Sequence, residues 1–266
     1  MASRLVVFVL TVALAGAAGP AAADLAEIKA RGVLRVLRVE APSGDEFFSL
    51  GEDAPPGFDR EILEGFATLH RLKLEPVTVP SWADLAPGLL QRRGDVAAGR
   101  FTITPARAEQ VSFTVEVFPT RHVVVTRKPT PVIHSLEVLR AQQMAAVPGG
   151  AIEEAILAAG VPRANVAAAE SPGGGPQHLR EGGRITAAVS GVERALLELR
   201  RDPQLQLGMF LGPPRSLAYA VAKEDKELLK ALNDFVENTR RSGTWTRLIV
   251  KYFGEAAVEL LKTARQ

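Results

Sequence analysis

Apolar positions along this chain fall into short alternating runs, separated by segments in which they recur every three or four residues. Residues 33–39 alternate apolar and basic side chains as a strand does. Phe58, Ile62, Phe66 and Leu69 follow at helical spacing, which predicts an amphipathic helix capped upstream by Gly57 and Asp59. Residues 72–79 predict a second strand, residues 82–90 a second helix N-capped by Ser81, and residues 95–98 a third strand. Trp82 and Phe66 are expected in the core. Strand, helix, strand, helix, strand at this spacing implies a parallel sheet with right-handed crossovers. In such sheets ligands bind beyond the carboxyl ends of the strands, where residues 99–104 lie.

Residues 111–118 and 121–126 read as further strands, and the prolines at 129 and 131 break the pattern at a first crossing between lobes. A second β/α run follows, with strands at 144–147, 165–169, 185–189 and 205–210. Helices are expected from Ala151, near Gln177 and up to Arg200. Gly212-Pro213-Pro214 marks the return, and residues 216–222 are expected as a second hinge strand. Residues 225–239 form an amphipathic helix with Leu228, Leu232 and Phe235 on one face. Gly243 ends it, a helix carrying Trp245 and Leu248 follows, and the tail after Gly254 reads as one more. The class is α/β in two lobes. Residues 24–127 and 214–266 make the first lobe and 128–213 an inserted second one, joined by two hinge strands that suit closure around a small solute.

Residues 1–23 read as a secretory signal peptide: Arg4, an apolar stretch over 5–14, and Ala21-Ala22-Ala23 before Asp24. The chain has no cysteine, which excludes a lipobox and a disulfide. A free periplasmic protein, monomeric and without a cofactor, is the expected product. Lys and Arg number 32 against 30 acidic residues, a formal charge of +2, and no basic stripe is interleaved with aromatics. Nothing here suits a nucleic-acid partner.

The most informative stretch is Gly94-Asp-Val-Ala-Ala-Gly-Arg-Phe-Thr-Ile-Thr-Pro-Ala-Arg107. Gly99 permits a sharp turn, Thr104 suits an N-cap and Pro105 a first helical position. Arg107 then falls in the first turn, where a cation gains nothing from the macrodipole. It is either a solvated surface arginine or the holder of an anion, since its planar fork takes a carboxylate bidentately. Other chemistries find little support. Residues 171–176 are glycine- and proline-rich but lack the Gly-Lys-Ser/Thr of a phosphate loop. His70, His122, His134 and His178 show no metal-ligand spacing, and no G-x-S-x-G elbow occurs. Glu153 and Glu154, being adjacent, point about 100° apart on a helix and simply enrich its first turn in negative charge.

Trp82-Ala-Asp-Leu-Ala-Pro-Gly-Leu-Leu, Gly94-Asp and residues 98–107 together resemble the signature of the bacterial family 3 extracellular solute-binding proteins. Ile28-Lys-Ala-Arg-Gly-Val-Leu-Arg-Val, Gly57-Phe-Asp-Arg-Glu-Ile-Leu, and the segments at Asn233-Asp-Phe, Gly243-Thr-Trp and Tyr252-Phe-Gly254 extend the likeness from about residue 25 to 254. The resemblance implies a two-lobe periplasmic-binding-protein fold (type II) with mainly parallel sheets. It implies a receptor that delivers a small carboxylate-bearing solute, an amino acid by family default, to an ABC permease in the inner membrane. By the same resemblance Arg107 holds the ligand carboxylate, Thr102 adds a contact, and Phe47 or Phe48 packs on the ligand side chain. Three positions depart from the family. Arg100 replaces a small residue, the second lobe's Gly-Thr-Thr helix start becomes Gly149-Gly150-Ala151, and the acid that pairs with a ligand ammonium aligns with Ser190 or Gly191. The lost acid points to plain organic acids, unless Asp45, Glu46 or Asp53 replaces it. Two other functions share the fold: an accessory or sensor protein with a degenerate cleft, and an enzyme resembling cyclohexadienyl dehydratases.

Overall fold

Helix α1 (Leu25–Arg31), N-capped by the Asp24 carboxylate and closed by left-handed Gly32, feeds strand β1 (Val33–Val39). Then come α2 (Phe58–Leu69), β2 (Lys73–Val79), a 3-10 turn at Trp82–Asp84, α3 (Leu85–Leu90), β3 (Val96–Ala97), α4 (Pro105–Ala108), β4 (Ser112–Phe113) and β5 (Phe118–Arg127). The middle of the chain adds α5 (Leu136–Arg140), β6 (Met144–Ala146), α6 (Ala151–Ala158), β7 (Val166–Ala168), α7 (Gly175–His178), β8 (Ala188–Gly191) and α8 (Val192–Arg201). The return supplies β9 (Leu205–Leu217), β10 (Ala220–Val221), α9 (Lys226–Arg241), α10 (Thr244–Phe253) and α11 (Ala256–Ala264). This computed structural model describes residues 24–39, 47–51, 54–169, 175–179 and 183–266. The expected signal peptide, the acids Asp45, Glu46 and Asp53, and residues 171–174 lie outside them.

The first lobe is a five-stranded sheet in the order β2-β1-β3-β10-β4, with β1 parallel to β2 and β3. Its last two neighbours run antiparallel because β10 belongs to the returning chain. Helix α2 buries Phe58, Ile62 and Phe66 of the face expected of it, with Leu63 beside them, whereas Leu69 in its last turn is exposed. The second lobe pairs β6 with β7 in parallel and sets β8 and β9 antiparallel on either side of β5.

The paired strands β5 and β9 join the lobes, and they correct the expected boundaries. His122 to Val125 already pair with β8, so the chain enters the second lobe before Lys128. Ser216 and Leu217 pair with Pro119 and Phe118 at the far end of β9, while Ala220 and Val221 sit in the first-lobe sheet. Among the described residues no helix is long and apolar enough to cross a membrane.

Candidate functional site

The turn after β3 is built on two successive left-handed residues, Gly99 at φ 85° and Arg100 at φ 62°. A non-glycine residue there costs on the order of 1–3 kcal/mol and persists only when its surroundings impose it. The buried Asp59 carboxylate does so: its Oδ2 accepts from the Gly99 N–H at 3.0 Å and the Arg100 N–H at 3.3 Å. Tyr219, also buried, donates its hydroxyl to Asp59 Oδ1 at 3.2 Å. Burial, and then the Asp59 charge, push the Tyr219 phenol well above its ordinary pKa, so it remains a donor. Asp59 was expected as a helix cap; its carboxylate instead reaches across to the turn.

Beyond the turn, Ile103 N–H donates to Ser216 O and Ala218 N–H to Phe101 O, which fixes the segment against β9. Thr104 caps α4, accepting from the Arg107 N–H at 3.4 Å, with Pro105 at the first position. The Arg107 guanidinium donates to Thr102 O at 2.8 Å and lies 4.4 Å from the Phe101 ring centroid. Burial lowers its pKa, though an arginine stays charged in this range. Among the described residues no carboxylate forms an ion pair with Arg107 or Arg100.

Two cavities of about 430 and 670 Å³ open between the lobes and meet at Trp82, Arg100, Thr102, Ala151, Ile152 and Glu193. The smaller, at the strand ends, is bordered by Arg107, Gly150 and Ala151, with an apolar wall that includes Val147 and Val189. The larger lies along the hinge strands and takes in Ser190, His122 and Arg215. Arg107, Thr102, Arg100, Gly150, Ala151 and Ser190 are thus brought to one cleft.

Phe47 and Phe48 are not. They are 1% and 0% exposed, and Phe47 packs 5.3–5.8 Å from Phe58, Phe118 and Phe253 in a core aromatic cluster. The aromatic in the cleft is Trp82, expected in the core but 36% exposed. Its indole N–H donates to Gly99 O at 3.2 Å, and the Arg100 guanidinium lies 5.5 Å from its ring centroid.

No acid stands at Ser190 or Gly191, but one follows two residues after Gly191. Glu193, in the first turn of α8, borders both cavities, and its Oε2 accepts from Thr120 Oγ1 at 2.5 Å. An ideal Cβ on Gly191 would stand 2.3 Å from Glu193 Oε1. The carboxylate therefore fills the space that a side chain at 191 would have taken. Only the acid opening a helix after a glycine signals this in the sequence, and a helix-dipole role explains that pattern equally well. The cleft so built can hold a carboxylate at Arg107 and an ammonium at Glu193.

The model of the bacterial extracellular solute-binding proteins, family 3, matches residues 44–255. A membrane-bound lytic murein transglycosylase F of Maricaulis maris (strain MCS10) is 28% identical over 74% of this chain and 43% of its own length. A probable histidine-binding protein of Neisseria gonorrhoeae is 24% identical over 77% of this chain and 78% of its own. The chain spans about half the length of the transglycosylase relatives it matches. Among solved structures, an ancestral arginine-binding protein bound to glutamine is 29% identical, with TM-score 0.62, over 85% of this chain and 99% of that one.

Proposed function

This chain belongs to the bacterial extracellular solute-binding proteins, family 3, and from that premise we propose that it is a periplasmic receptor capturing a small α-amino acid in the cleft between its lobes. The observation that carries this reading is the placement of Arg107 and Glu193 on one cavity of about 430 Å³. Arg107 takes the α-carboxylate, helped by the N–H groups that open α6, and Glu193 takes the ammonium. A free ammonium in a closed cleft needs such a counter-charge, since burying it unpaired is costly. The plain organic acid considered from sequence is accordingly the weaker ligand. Glu193 accepts from Thr120 Oγ1 and is read here as a counter-charge, and we assign no reaction to the cleft.

Closure about β5 and β9 would bury the solute and present the closed form, as a monomer, to an ABC permease. Calorimetric titration with matched pairs tests the binding site: glutamate should bind at least tenfold tighter than 2-oxoglutarate. Equal or reversed affinities would remove Glu193 from the site. The similarity to transglycosylase relatives favours a second reading, in which the same binding event informs cell-wall turnover rather than uptake. Uptake of the bound amino acid by cells lacking the gene separates the two. Lost uptake supports the receptor, and normal uptake with intact binding supports the sensor.

A further inference from the structure

We propose that the hinge-side cavity is a second anion subsite, and that the ligand is an α-amino acid extended by a distal carboxylate to about the size of a dipeptide. This rests on the reading of Arg107 and Glu193 as the clamp for the amino acid head. The two cavities share Trp82, Arg100, Thr102, Ala151, Ile152 and Glu193, so one ligand can run from the strand ends to the hinge. The larger, about 670 Å³, is not bordered by Arg107. Cavities of roughly 300–1,000 Å³ take ligands much larger than a single amino acid.

The hinge strands shape this cavity by an irregularity in their pairing. Thr120 pairs with Arg215 and His122 with Leu211, so residues 212–214 bulge opposite Arg121 alone. Gly212 takes φ 66°, and Pro213 and Pro214 have no N–H to offer a ladder. Arg121 closes the bulge by donating to Gly212 O at 2.7 Å, its guanidinium 5.5 Å from the Phe210 ring centroid. Such a bulge re-aims the residues beside it, and here it sets Arg215 on the cavity wall.

The charges around the cavity are unequal. Arg100, Arg121, Arg194 and Arg215 face it against two acids, Glu154 and Glu193. Glu193 is committed to Thr120 and the ligand head, and Glu154 is exposed on α6. Arg194 is partnered by Glu198 at 3.4 Å. Arg215 is exposed and has no ion pair among the described residues, so it is available to an anion from solution. Low-dielectric walls lined by one sign of charge concentrate the opposite sign. His122 registers that field: burial first, then Arg215, lower its pKa from the ordinary value, with Glu193 opposing. The imidazole is thereby kept neutral near pH 7, free to share a hydrogen bond with the same carboxylate.

The test uses two amides with an identical head, γ-L-glutamylglycine and γ-L-glutamylethylamide, which differ at the distal end by a carboxylate. Calorimetry on the mature protein should show at least tenfold tighter binding of the glycine amide. Arg215→Ala should bring that ratio close to one while leaving the ethylamide affinity unchanged, and Arg107→Ala should abolish both. Equal affinities in the unmodified protein, or a ratio that survives Arg215→Ala, overturns the subsite. So does binding of free glutamine with exclusion of both amides, and in that case the head clamp stands. Failure of every α-amino acid to bind would remove the clamp and the subsite together.

Discussion

Replacing Glu193 by Gln removes the charge proposed to meet the ligand ammonium and little else. The amide oxygen can still accept from Thr120 Oγ1, and Gly191 still leaves room for the side chain. The fold should lose only the favourable charge at the start of α8, about 0.3–1 kcal/mol. Binding should lose more. Truncating one partner of a desolvated charge pair costs roughly 2–5 kcal/mol, and a half-buried acid belongs at the lower end. About 2 kcal/mol corresponds to about a 30-fold weaker complex. The assay is calorimetric titration with the tightest-binding amino acid of a twenty-member screen and with its deaminated counterpart. Glu193→Gln should weaken the amino acid about 30-fold and leave the deaminated acid unchanged. Equal weakening of both would mean that Glu193 shapes the cleft without meeting the ammonium. No weakening of either would mean that it does not face the ligand.

Three other outcomes follow from the same geometry. Asp59→Asn can keep the Gly99 bond through its amide oxygen only by turning its NH2 to Tyr219, whose hydroxyl must then accept and loses its own buried acceptor, so urea denaturation should show a loss of about 1–3 kcal/mol; ligand affinity should fall with it, and an unchanged protein would separate Asp59 from the turn. Phe66 is fully buried against Phe235 and His70, so Phe66→Ala should cost roughly 3–5 kcal/mol in the same measurement with ligand affinity intact. His122 has a folded-state pKa below its ordinary value, so the unfolded chain takes up its proton first as pH falls. Its contribution to stability is full above the ordinary histidine range near 6.5 and is lost progressively below it. Between pH 7.5 and 5.5 the unmodified protein should therefore lose more stability than His122→Gln; parallel losses would show that burial and Arg215 do not outweigh Glu193 to hold the imidazole neutral.

Much of the first lobe was legible because its elements follow one another with clear periods. The parallel order of β1, β2 and β3, the buried face of α2 and the Thr104-Pro105 start of α4 all came from local patterns. Trp82 was misplaced because its segment was read with a helical period. The chain there begins as a 3-10 turn, with three residues per turn, and the phase difference rotates the indole into the cleft. Phe47 and Phe48 sit in a non-periodic loop, where nothing local distinguishes a ligand contact from a core plug. Asp59 and Glu193 have the positions of ordinary first-turn acids, and their partners lie 40 to 160 and 73 residues away in sequence. The hinge was misdrawn because Gly212-Pro213-Pro214 reads as a break. In the fold it is a bulge, and β9 continues on both sides of it.

The most direct measurement is a thermal-shift screen of the unmodified protein and Arg107→Ala against the common amino acids and their deaminated analogues. A ligand that binds only the native state raises the melting temperature by mass action, about 2.7 kcal/mol of added stability at 100-fold excess over Kd. At least one α-amino acid should raise the melting temperature of the unmodified protein. Its deaminated analogue should do so far less, and Arg107→Ala should abolish the shift while melting normally without ligand. A shift that survives in Arg107→Ala, or a screen in which no amino acid acts, would contradict capture of an amino acid between the lobes.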